Sequence, residues 1–176
     1  MTKGIHNVYE TFWGNSAPVS TDGSNLTFQT YAMRFQLTVA GSLFALRYAR
    51  EKRTNGPVIG VLWDATTLAP IRSVAFREKT ASGTGFDRWE TKYFHPKVPV
   101  AINQQFIVAI TLADSRAMFT ANGLTAASIT HGHITALKDG LSGHANGMQE
   151  TDAVVFPSTS AGGDLTMVDL VFGVAQ

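Results

Sequence analysis

The run YAMRFQLTVAGSLFALRYAR, residues 31–50, decides the reading of the fold. Apolar residues recur mostly at spacing two on both sides of Ala40-Gly41-Ser42, the signature of strands with one buried face and not of a helix. The central tripeptide reads as a tight hairpin between two strands. Outward from this run the same short pattern recurs at 57–63, 68–76, 88–94, 105–112, 116–120, 129–135 and 167–174, so that nine strands are expected in all. Each such strand has one apolar face. Two sheets that bury those faces against each other give an all-β, antiparallel two-sheet β-sandwich.

Composition agrees with one such domain. At 176 residues the chain has room for a single core, with 28–176 as the sandwich and the weakly patterned 1–27 as an N-terminal arm or a first edge strand. Hydrophobic residues make up 44% and charged residues 15%, too apolar a balance for a disordered chain. The 14 Lys and Arg against 13 Asp and Glu exclude a strongly basic nucleic-acid binder. No cysteine is present, which removes disulfides, thiolate zinc sites and thiol nucleophiles. No apolar run approaches the length of a membrane span or a signal peptide, so neither membrane insertion nor export is expected.

Few residues suggest chemistry. His131-Gly132-His133 places two imidazoles on one strand face, with His144, Asp139 and Asp152 near in sequence, but no motif fixes the intervening loop and no metal is expected. Asp64, Asp87 and Glu90 stand beside aromatics, as carboxylates of a glycoside hydrolase do, yet strand ends in any sandwich carry such residues. There is no nucleophile elbow, phosphate loop or dinucleotide fingerprint, so no enzyme and no cofactor are expected. Trp63 and Trp89 sit in alternating runs and read as core, together with Leu46, Tyr48, Val61, Phe76, Phe106, Val108, Ile110, Val168, Leu170 and Phe172.

Two features suggest a partner. Tyr9, Phe12 and Trp13 form an aromatic cluster in the N-terminal segment, where bulky rings can anchor a neighbouring subunit. Arg47, Arg50, Lys52 and Arg53 lie around one hairpin in a basic middle region, while the stretch after Val98 is net acidic. Opposite charges on two copies, or on another protein, would then set the orientation of docking.

Pieces in order along the chain resemble a family of bacterial β-sandwich domains of unknown function, found as modules of large exported proteins beside immunoglobulin-like or carbohydrate-active domains. They run from Phe12-Trp13-Gly14 through Tyr31-Ala32-Met33-Arg34-Phe35, Leu46-Arg47-Tyr48, Gly60-Val61-Leu62-Trp63 and Arg88-Trp89 to Pro99-Val100 and Phe106-Ile107-Val108. They resume at 134–140, Asn146-Gly147, Phe156-Pro157-Ser158 and 167–172. The resemblance implies a jelly-roll-like sandwich, similar to carbohydrate-binding modules, with no catalytic residues to carry over. This sequence has Leu165, Thr166 and Met167, and Met148 and Gln149, where the family tends to place aromatics. A free-standing form without a signal peptide leads to the expectation of a bacteriophage virion protein, a minor tail or capsid decoration subunit made in the host cytoplasm. Its partners would be other virion proteins, copies of itself and a host-surface glycan. The alternatives are a stand-alone carbohydrate-binding module and a hydrolase with an unrecognised site.

Overall fold

The structure is a computed structural model that describes residues 9–15, 28–77, 83, 85–114, 117–120, 122–151, 156–160 and 162–174. Among them there is no α-helix, and every strand pairing is antiparallel. The strands are β1 (Tyr9–Thr11), β2 (Gln29–Leu37), β3 (Gly41–Glu51), β4 (Val58–Asp64), β5 (Pro70–Phe76), β6 (Phe86–Val100) and β7 (Gln105–Leu112). The second half is built of shorter pieces: β8 (Phe119–Thr120), β9 (Ile129–His131), β10 (Ile134–Ala136), β11 (Met148–Glu150), β12 (Thr159–Ser160) and β13 (Leu165–Thr166). The chain closes with β14 (Val168–Val174). The expected start of a strand at Arg116, and Asp152, lie outside the described residues.

One sheet has the order β1-β14-β3-β6, and the larger one runs β12-β11-β2-β7-β4-β5 with β10 and β9 added beside β2. Inward residues of β2 (Met33, Phe35, Leu37) and β7 (Phe106, Val108, Ile110, Leu112) pack on Leu43, Leu46 and Tyr48 of β3 and on Val168, Leu170 and Phe172 of β14. This is the sandwich core, formed because each sheet alone would leave its apolar face in water.

The structure corrects the reading of the decisive run. Gly41 is not the turn of a hairpin: β2 and β3 belong to different sheets, and 38–40 carries the chain across the core from one to the other. At the end of β2 the backbone is already paired elsewhere, Leu37 N–H donating to Gln104 O (3.0 Å) and Thr38 N–H to His133 O (3.0 Å). Gly41 then starts β3 between Val174 and Val100, where a Cβ would strike the Gly173 carbonyl and the Phe172 ring. The same crossing recurs from β3 to β4, β5 to β6 and β6 to β7, the alternation of a jelly-roll-like sandwich.

Three further expectations change. Residues 129–135 are not one strand but the hairpin β9–β10, turned at Gly132 (φ +57°) and His133. Val61 and Trp63 are buried, but with Ile107, Ala109 and Met148 on the far side of the larger sheet, because the inward phase of β4 belongs to Val58 and Leu62. Trp89 is half-buried on the outer face of the smaller sheet opposite Ala49, while Glu90 takes the inward phase opposite Tyr48. The cause is Arg50, which alternation on β3 drives inward until it is fully buried, so that Glu90 must face it (3.2 Å).

Phe106, with no exposed surface, should cost about 3–5 kcal/mol on truncation to Ala. Trp89→Ala should cost less, since its ring is only partly buried, on the outer face of the smaller sheet. Urea unfolding of both variants checks the ordering, and an equal loss would contradict the assignment of Trp89 to the outer face.

Candidate partner-docking face

Successive outward residues of four strands make the outer face of the smaller sheet. Register places Thr11, Val171, Ala45 and Tyr93 in one row across β1, β14, β3 and β6, with Asp169, Arg47 and Thr91 in the next and Ala49 beside Trp89 beyond. A bulge between Leu43 and Ala45 adds Phe44, whose ring reaches over Gly173 and meets Tyr9 edge-on at 4.9 Å between centroids. Lys97 Nζ lies 5.3 Å from the same ring. Tyr93 is 69% exposed and Tyr9 55%, large values for aromatic residues, and they stand on the two edge strands of the sheet.

The N-terminal residues reach this face because Asp169 holds them there. Its Oδ1 accepts the N–H groups of Phe12 (2.8 Å) and Leu170 (2.7 Å), and its Oδ2 accepts Trp13 N–H (3.1 Å) and Arg47 Nε (2.9 Å). Trp13 Nε1 donates to Val168 O at 3.2 Å, and Arg47 Nη2 donates to the Gly14 carbonyl. Burial pushes the Asp169 carboxyl above its ordinary range, while the Arg47 guanidinium and the Trp13 and Phe12 N–H groups pull it down. Arg47 in turn lies under Trp89, its Cζ 4.3 Å from the ring centroid. Trp89, Phe86 and Trp13 pack on a buried patch of Ala49, Met118 and Met167.

The seven residues expected at a partner site are therefore split. Tyr9, Trp13 and Arg47 share this face. Phe12 does not: it is 1% exposed, packed on Phe35 in the core and stacked on His131 at 4.9 Å, because β1 is an edge strand whose end turns inward over Asp169. Arg50 does not either; it donates to the Tyr48 hydroxyl (3.2 Å) and Thr54 O (2.9 Å) inside the sandwich. Arg53 folds back on the buried Glu51 (2.9 Å), and Lys52 N–H pairs with Gly85 O. Arg47, Arg50, Lys52 and Arg53 lie on β3 and at the start of its crossing to β4, not around a hairpin, and their charges are largely neutralised within the chain. Phe44 and Tyr93 were missed by sequence reading, since a bulge phase and the register of a 15-residue strand leave no local signal.

The remaining candidates separate. His133 Nδ1 pairs with Glu10 Oε1 (2.7 Å), His131 Nδ1 with Phe12 O (2.5 Å), and His144 lies in a cavity on the other sheet. Among the described residues no three His, Asp or Glu gather to hold a metal. Asp87 and Glu90 are ion-paired with Arg88 (3.1 and 2.5 Å), and Asp64 accepts the N–H groups of Thr66 and Thr67, so these carboxylates tie strands and turns.

Replacing Arg47 by Met leaves a buried carboxylate without its counter-ion and should cost about 3–5 kcal/mol near neutral pH. The Asp169 carboxyl is already raised in the fold, so the folded protein binds that proton more tightly than the unfolded chain. The deficit should therefore shrink as pH falls through the folded-state value and be full above it. Denaturant titrations of parent and variant across acidic to neutral pH check this, and a pH-independent deficit would contradict it.

No curated protein matches the chain. The sequence profile of a family described as a domain of unknown function (DUF4082) matches residues 16–164, a span from before β2 to just before β13 that leaves β1 and β14 outside it. With so much of its length matched, the chain belongs to the DUF4082 family.

Proposed function

We propose that the protein is a non-catalytic structural subunit of a bacteriophage particle, a minor tail or capsid decoration protein, that docks on other virion proteins or on copies of itself through the outer face of its smaller sheet. The observation that carries the docking role is the pair of exposed tyrosines, Tyr9 and Tyr93, on a face otherwise closed by the Phe44, Arg47 and Trp89 contacts. Tyr, Trp and Arg are the residues that dominate binding energy at protein interfaces, and they do so where the surrounding groups already exclude water. A rigid sheet presents them at little entropic cost. Support for the absence of catalysis comes from the carboxylates, which are engaged in ion pairs and turn caps.

A second reading, a carbohydrate-binding module, is favoured by a separate cavity on the larger sheet, lined by Arg34 and Phe156.

The test is co-purification with particles. Tyr9→Ser and Tyr93→Ser together should leave the thermal transition within about 0.5 kcal/mol of the parent, as is usual for exposed sites. Occupancy on purified particles should fall roughly tenfold or more, the loss expected from removing two anchors. Normal occupancy of the double variant, or absence of the parent from purified particles, would overturn the reading.

A further inference from the structure

The outer face of the larger sheet carries a different constellation. Arg34, Ile107 and Trp63 form a row across β2, β7 and β4. Ile107 is the middle of the row. Arg34 is only 8% exposed, yet among the described residues it has no carboxylate partner. One guanidinium nitrogen, Nη2, donates to Gln105 Oε1, while Nε is buried without a hydrogen-bond partner. Trp63 Nε1 is a second buried donor without one. Burial lowers the Arg34 pKa, as expected of a cation in apolar surroundings with no compensating charge.

This arginine lines a cavity of about 310 Å³. Its floor and walls are apolar: Ile107, Met148 and Phe156, the last held edge-on against Trp63 at 5.5 Å. The rim is polar, with Thr66, His144 and Ser158 exposed. The position is fixed by the chain itself. Asn146 accepts Arg34 N–H (2.7 Å) and donates to Arg34 O (2.8 Å), standing in for a strand partner between β10 and β11 and setting 144–148 beside the arginine.

A buried cation without a counter-ion is costly, and an anion brought to it would relieve that cost. We propose that this cavity binds an acidic sugar unit of the hexuronate type, with its carboxylate on the Arg34 guanidinium and its ring against Phe156 and Met148. The guanidinium fork matches a carboxylate in shape, and its one charge balances a singly charged anion. The volume is at the small end of ligand sites and takes one ring. The aromatic wall suits the C–H face of a pyranose, and the polar rim meets its hydroxyls. The site deepens the carbohydrate-binding reading and is independent of the docking face, which lies on the opposite sheet.

The experiment is an NMR titration of the intact protein with glucuronate, and with glucose and propionate as controls at matched ionic strength. Glucuronate should shift the resonances of Arg34, Ile107, Met148 and Phe156 saturably, with both controls weaker by roughly tenfold or more. Arg34→Met should weaken glucuronate binding by roughly tenfold or more, the loss expected of a charge-assisted contact. Phe156→Ala, at a partly exposed position, should weaken it several-fold and serves as the probe should Arg34→Met fail to fold. The tyrosine double variant should bind glucuronate like the parent, which separates this site from the docking reading. The proposal is overturned if glucuronate gives no saturable shifts, if propionate or glucose binds as tightly, if the shifts fall on the smaller sheet, or if neither variant weakens binding.

Discussion

Asp169 is the constraint on which the smaller sheet depends. It is a fully buried carboxylate on β14 whose two oxygens accept three backbone N–H groups and one arginine Nε. A buried charge is tolerated only when so compensated, and each of the compensating groups is thereby fixed in place. Through Phe12 and Trp13 it attaches the N-terminal strand. Through Arg47 it attaches Trp89, and with Trp89 the outer corner of β6. The core is closed from the same point, because holding Phe12 N–H at Asp169 turns the Phe12 ring inward onto Phe35.

The hairpin β9–β10 is tied into the same end of the molecule. Glu10, one residue from the end of β1, accepts His133 N–H at 2.8 Å and pairs with its imidazole, and its carboxylate lies where a Cβ of Gly132 would be. A side chain there would meet both the left-handed backbone and that carboxylate. The two histidines are thus structural links between the edge strand of one sheet and a hairpin of the other. Compensation within the chain also accounts for the basic segment at the end of β3. Arg50 and Arg53 neutralise Glu90 and Glu51, charges that the fold itself buries.

Fold class was legible because alternation over long strands is a strong local signal: β7 has the bounds its pattern predicts, and β2, β3, β4 and β14 lie within two residues of theirs. What alternation does not report is which sheet a strand joins. Residues 38–40 have the composition of a turn whether the chain pairs back on itself or crosses the core, and here hydrogen bonds to Gln104 and His133 decide for crossing. Phase was misread at Trp89 and Trp63 because size and apolarity do not say which face is inward, and an inward arginine reversed the choice for β6. The short strands β11, β12 and β13 leave no periodic trace, since two or three residues are less than a full alternation. Of the partner residues, Tyr9, Trp13 and Arg47 were readable as types, but the Arg34 cavity was not, because its row spans three strands distant in sequence.

Residues 9–15 are an integral edge of the sandwich, held by Asp169. Amide hydrogen exchange of the intact protein tests that directly. The N–H groups of Phe12 and Trp13 should be protected to a degree comparable with those of β3, and Asp169→Ala should release both together. Exchange of Phe12 and Trp13 at the rate of an unstructured chain in the parent protein would contradict the account.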